Sequence, residues 1–125
     1  MSSRGVLLVL SGPGGVGKST VVSELKKFEN FHFSVSATTR PPRPNEIDGV
    51  AYHFVDDQKF QKMIDDGDFL EWAQFAGARY GTPRKAVIDS LDSGKNVLLE
   101  IEIQGARQVK RAMPDAVMVR SEEHT

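Results

Sequence analysis

A chain of 125 residues, 39% hydrophobic and 26% charged, supplies one soluble domain, or most of one, with a buried core. Sixteen basic against 17 acidic residues leave a net charge of −1, which excludes the broad basic excess that draws a protein to nucleic acid or to anionic membranes. The absence of cysteine excludes a disulfide scaffold and a thiolate metal site, and it suits a reducing, cytoplasmic compartment.

Val6 to Leu10 is a continuous apolar, β-branched run bounded by glycine, as in a strand buried on both faces. It is too short to span a membrane and lacks the long apolar region and cleavage site of a signal peptide. The glycine-rich stretch SGPGGVGKST follows, and from Lys18 to Phe28 the residues Val21, Val22, Leu25 and Phe28 recur at helical spacing. Phe33 to Ala37 alternates as a short strand. Thr38 to Gly49, TTRPPRPNEIDG, carries three prolines and a glycine and so predicts a stiff loop holding two arginines. AYHFV predicts a strand. DDQKFQKMIDDG predicts a helix capped by Asp56 or Asp57, with Phe60, Met63 and Ile64 inward and Gly67 as its stop. FLEWAQF alternates again, and Pro83 suits the first turn of a helix whose stripe is Val87, Ile88 and Leu91, ended by Gly94. NVLLEIEI predicts a second buried strand and QGARQVKRAM a helix with Ala106, Val109 and Met113 in the core, before DAVMV opens a further strand.

The order strand, loop, helix, with a later apolar strand ending in carboxylates, predicts an α/β fold. It has a parallel sheet core built from residues 1–33 and 84–119, and a strand-rich insert over 34–83. A ligand is expected at the carboxyl ends of the core strands.

Gly12-Pro13-Gly14-Gly15-Val16-Gly17-Lys18-Ser19 satisfies G-x-x-x-x-G-K-[ST], the P-loop pattern of nucleoside triphosphatases and kinases. Its glycines allow backbone N–H groups to turn inward on phosphate oxygens, and the helix N-terminus adds a favourable dipole. Lys18 is placed to follow the β and γ phosphates and Ser19 to ligate magnesium, so Ser11 to Thr20 as a whole forms the candidate nucleoside triphosphate site.

Four stretches in this order and spacing, SGPGGVGKST, FSVSATTRPPRPNEIDGVAYHF, FLEWAQFAGARYGTP and VLLEIEIQGARQV, resemble the bacterial-type guanylate kinase family from about Gly5 to Val119. The resemblance implies magnesium-dependent phosphorylation of GMP by ATP on a core that carries a GMP-binding insert and a mobile lid. It makes Arg40 and Arg43, with the hydroxyls of Tyr52 and Tyr80, the partners of the GMP phosphate, and the arginine fork suits phosphate oxygens better than an ammonium does. Lys18, Arg40 and Arg43 are thereby the candidate catalytic cations.

Guanine presents N1–H and an amino group as adjacent donors and O6 as an acceptor, so its reader needs a carboxylate and a hydroxyl. Glu71 and Thr82 stand at the family-matched positions, and Ser36 adds a further hydroxyl. Glu100 is a candidate for the magnesium shell, through water, and Glu102 for the base or ribose, although the commoner family residue at position 102 is aspartate. Solvated acidic residues at a strand end are the plainer reading of both. Trp72 reads as packing, and His32 and His53 as structural.

Two other functions stay open: a catalytically silent guanylate-kinase-like binding module, against which the intact Gly17, Lys18 and Ser19 speak, and a kinase for AMP or dTMP, against which Glu71 with Thr82 speaks. The last six residues, RSEEHT, are what the opening of a common sequencing adapter encodes, so Arg120 to Thr125 are expected to lie outside the fold. The resemblance implies an arginine-rich lid after Val119. A chain without one is expected to keep GMP contacts, to transfer phosphate negligibly and to be poorly stable.

Overall fold

The computed structural model describes residues 4–12, 16–28 and 30–120, with the side chains of 16–19 and 21 outside that description. The chain divides into two compact units, residues 1–34 with 87–125 and residues 35–86.

The first unit is a four-stranded sheet of order β2-β7-β1-β8, from β1 (Leu7–Ser11), β2 (Phe31–Phe33), β7 (Asn96–Glu100) and β8 (Val117–Arg120). Every pairing in it is parallel, with Leu7 to Leu10 opposite Val97 to Glu100 on one side and Leu8 to Ser11 opposite Val117 to Arg120 on the other. Parallel strands bury both faces, which is why β1 and β7 are continuous apolar runs rather than alternating ones. Leu7, Val9, Leu10, Val97, Leu98 and Leu99 are all buried, joined by Val87 and Leu91 of α3 (Arg84–Asp92) and Ala106 and Val109 of α4 (Ile103–Ala112). Each of these valines and leucines contributes roughly 1.5–3 kcal/mol on leaving water.

The second unit is a mixed sheet of order β4-β3-β6-β5, from β3 (Ala37–Thr38), β4 (His53–Phe54), β5 (Phe69–Phe75) and β6 (Ala78–Pro83). β5 and β6 form an antiparallel hairpin turned by Ala76 and Gly77, both at positive φ (53° and 81°), the geometry that fits a two-residue turn to twisted strands. Helix α2 (Asp57–Asp65) begins at the Asp56 cap, whose carboxylate accepts from Lys59 N at 2.7 Å. It buries Phe60 completely against Ala37 and Phe69, with Met63 and Ile64 half-buried beside them. Phe60 and Phe69 lie 4.6 Å apart between ring centroids, and the Arg79 guanidinium covers Phe60 at 4.8 Å. Arg79 also donates to Gln61 and to the Asp57 carbonyl, so one side chain fastens α2 to β6.

Several sequence expectations need correction. The run Phe33 to Ala37 is not one strand. Its first residue closes β2 against β7, its last opens β3 in the other sheet, and the alternation of Phe33, Val35 and Ala37 runs across the change of sheet. AYHFV is a strand only at His53 and Phe54, because Ala51 and Tyr52 close a turn onto Ile47 and Gly49. Pro83 ends β6 rather than beginning α3. NVLLEIEI stops at Glu100, since Glu102 caps the next helix. The first helix, α1 (Val16–Leu25), ends before Phe28, which is 58% exposed instead of inward, and Met113 is half-buried rather than core. Arg120 lies within β8, paired with Ser11, since ladder hydrogen bonds are made by the backbone whatever the side chain; 121–125 lie outside the described residues. Among the described residues no helix is long and apolar enough to cross a membrane.

Candidate nucleotide sites

In the first unit the buried Ser11 closes β1, Gly12 follows at φ 121°, and α1 starts at Val16. A positive φ of that size is glycine's region, and the described strand end and helix start flank the glycine-rich stretch as the P-loop pattern requires. Pro13, Gly14 and Gly15 lie outside the described residues, as do the side chains of Val16, Lys18 and Ser19; the backbone of 16–19 forms the first turn of α1, and Thr20 is exposed on the second. Register places Glu100 opposite Leu10 at the carboxyl end of β7, exposed, beside the end of the strand from which the loop departs. Among the described residues no three acidic or histidine side chains cluster as a metal cage. The donors on offer, a hydroxyl and one carboxylate, are hard oxygens, and they suit magnesium, which keeps most of its water.

Glu102, in this same unit, is occupied. Its carboxylate accepts from Gly105 N at 2.7 Å and from Gln104 N at 3.0 Å, capping α4. Two otherwise orphaned donors and the helix dipole therefore hold it. Glu102→Ala is expected to lower stability by about 0.5–2 kcal/mol in thermal or denaturant unfolding, whereas Glu102→Asp, an acidic cap with a preferred side-chain length, retains it.

The second unit gathers the remaining candidates into two groups. Glu71 on β5 stands directly opposite Thr82 on β6, and both are buried, at 6% and 0% exposure. Thr82 Oγ1 donates to Glu71 Oε1 at 2.6 Å, a short charge-assisted bond. A carboxylate only accepts, so the hydroxyl's single proton is committed to Glu71 and its lone pairs are what it offers elsewhere. The expected donation from Thr82 to a base O6 thus requires the hydroxyl to exchange partners.

The second group centres on Arg40. Thr38 is fully buried; its hydroxyl donates to the Arg79 carbonyl at 3.0 Å and accepts from Arg40 N at 3.2 Å, fixing the start of the loop. The guanidinium lies over the Tyr52 ring at 5.2 Å and the Phe54 ring at 5.9 Å, and Tyr52 meets Tyr80 edge-on at 5.9 Å. Nη1 and Nη2 of Arg40 donate to the two carboxylate oxygens of Glu46 at 2.9 and 3.0 Å, and Glu46 Oε1 also accepts from Arg43 N at 2.7 Å. Arg43 is exposed and is tied to Arg40 through this shared carboxylate. Ser36 contributes its carbonyl to His53 N at 2.8 Å. The structure therefore joins Arg40, Tyr52 and Tyr80, separately joins Glu71 and Thr82, and leaves Glu102 in the other unit.

Glu46 escaped the sequence reading. Its signal was a carboxylate three residues after Arg43 and six after Arg40 in a proline-stiffened loop, the spacing that lets a side chain fold back on its own turn. The bond from Arg40, helped by the Arg43 N–H and opposed by desolvation, holds the Glu46 carboxyl down from 4.5 to about 2. The guanidinium is raised above its ordinary value, first by Glu46 and also by the Tyr80 phenol. A carboxyl lowered on folding stabilises the fold fully above its unfolded value of 4.5, and that contribution is lost as pH falls towards 2. A carboxyl-carbon NMR titration is expected to place the Glu46 midpoint near 2; a midpoint near 4.5 would show the pair to be absent in solution.

Comparison with known proteins points to one family. The family model described as guanylate kinase matches residues 4–121. The guanylate kinase of Streptomyces kasugaensis is 60% identical over 118 residues, covering 94% of this chain and 58% of that protein. That of Thermobifida fusca (strain YX) is 59% identical over 114 residues, covering 90% and 58%. A crystal structure of guanylate kinase from Anaplasma phagocytophilum superposes with a TM-score of 0.82 at 40% identity, over 95% of this chain and 61% of that one. The chain thus spans a little under three-fifths of the length of these curated relatives.

Proposed function

Since this chain belongs to the guanylate kinase family, we propose that its protein transfers the γ-phosphoryl group of ATP to the phosphate of GMP, giving ADP and GDP, in the cytoplasm. The observation that carries the choice of GMP is the buried Glu71–Thr82 pair on facing strands. A buried carboxylate asks its ligand for donors, and guanine offers two side by side where adenine offers an acceptor. Binding adenine there would leave a desolvated carboxylate facing a lone pair, which is how polar sites discriminate by orders of magnitude.

In this reading Arg40, Arg43, Tyr52 and Tyr80 take the GMP phosphate, Ser36 assists with the base, and Glu102 serves the base or ribose with the lone pairs its cap leaves. Residues Ser11 to Thr20 take the ATP phosphates, with Lys18 following the charge on the transferred group. Ser19, with Glu100 through water, would hold magnesium, which supplies charge neutralisation on the phosphate oxygens when bound. A GMP phosphate oxygen attacks the γ-phosphorus in line as the bond to the β-γ bridging oxygen breaks, and ADP leaves with that oxygen.

Calorimetric titration of this chain with GMP, AMP and dTMP tests the base preference apart from transfer. GMP is expected to bind at least about a hundredfold more tightly than AMP. Equal affinities would overturn the assignment of Glu71 and Thr82.

A further inference from the structure

An arginine that binds a phosphate must point a pair of N–H groups at it, and a solvated arginine samples many orientations. Arg40 does not. Its Nη1 and Nη2 form the end-on fork onto Glu46, and Nη1 also donates to the Pro41 carbonyl at 3.0 Å. Of five guanidinium protons the Glu46 and Pro41 contacts use three; Nε–H and the outer Nη2–H make up the side-on fork, and the Tyr80 phenol is a further hydrogen-bond partner of the same guanidinium. Tyr52 and Phe54 rings fix the plane, and the Tyr80 phenol stands beside the cation. With side chains 14% and 20% exposed, Arg40 and Glu46 are more enclosed than the ordinary surface ion pairs of this protein, such as Lys27–Glu24 at 70% and 64%.

We propose that Glu46 is a positioning residue for the GMP phosphate: it clamps the end-on fork of Arg40 so that the side-on fork is preset for an oxyanion, and it binds Arg43 N so that the second arginine is carried on the same turn. The carboxylate also offsets the guanidinium charge, yet two oxygens of a phosphate dianion fit the Nε–Nη2 edge without displacing it. One carboxylate thereby sets both cations. The inference rests on the assignment of Arg40 and Arg43 to the GMP phosphate, and it concerns the phosphate alone, not the base.

The test is the affinity ratio of nucleoside monophosphate to nucleoside, GMP against guanosine and AMP against adenosine, in the whole chain and in Glu46→Gln. Glutamine keeps the shape but offers one acceptor and no charge, so the advantage of GMP over guanosine is expected to fall about tenfold while guanosine itself binds as before. A general loosening of the fold would instead weaken guanosine and GMP alike. Glu46→Asp, which keeps the charge but is one methylene shorter, is expected to lose part of the ratio and carries the comparison if the glutamine variant does not fold. An unchanged ratio in either variant, an increased one, or no phosphate advantage in the unmodified chain overturns the proposal. A normal phosphate advantage without preference for guanine over adenine would leave it standing and remove the base assignment instead.

Discussion

Glu71→Gln is expected to weaken GMP binding by about a hundredfold, roughly 2–3 kcal/mol, without weakening AMP binding, since an amide donor suits the adenine acceptor that a carboxylate repels. The selectivity of the loss follows from local chemistry. The glutamine carbonyl can still accept from Thr82 Oγ1, so the bond across the strand pair is kept. The amide NH2 then faces the guanine donors, and a donor set against donors in a buried site costs both the lost bond and the desolvation of each group. Calorimetry with GMP and AMP on the same variant reads the result directly. A uniform loss for both nucleotides would mean that Glu71 supports the fold rather than the base.

Phe60→Ala should be the most destabilising single change in the second unit, by about 3–5 kcal/mol. Phe60 is fully buried, and it meets Phe69, Trp72 and the Arg79 guanidinium at once. Removing the ring leaves a cavity in a unit with a small core, and against a usual total of roughly 5–15 kcal/mol that is a large share. Trp72, the only tryptophan, lies 6.2 Å from the Phe60 ring and reports the change: its fluorescence transition in urea should move to much lower denaturant. A midpoint shift worth less than about 1 kcal/mol would show that α2 is not what holds this sheet.

The sequence made these two residues visible for different reasons. Phe60 sits in a helix whose caps and apolar stripe are local signals, and α2 runs from the Asp56 cap as read. Glu71 and Thr82 were visible through the family resemblance, as a carboxylate and a hydroxyl suited to guanine, and the hairpin register adds that they touch. β1 and β7 announced themselves as apolar runs because burial on both faces leaves no place for polar residues. Less legible were features decided by distant partners. The change of sheet after Phe33 has no composition signal, since alternating residues suit either sheet. Glu102 carries two readings in sequence, helix cap and ligand, because an acidic side chain before a helix serves both. Glu46 looked like solvated loop charge, and its fork with Arg40 depends on a turn that no periodicity encodes.

The arrangement around Arg40 also bears on how substitutions should be scored. Exchange of arginine for lysine is usually counted as mild, since charge and length are kept. At position 40 one side chain serves a carboxylate on one edge and leaves a second edge for another anion, while its flat face lies over Tyr52. A lysine ammonium has neither edge nor face, so its three donors could reach both anions only from one point and would fork neither. Positions 40 and 46 are therefore scored together, because the cost of a change at one depends on which side chain stands at the other.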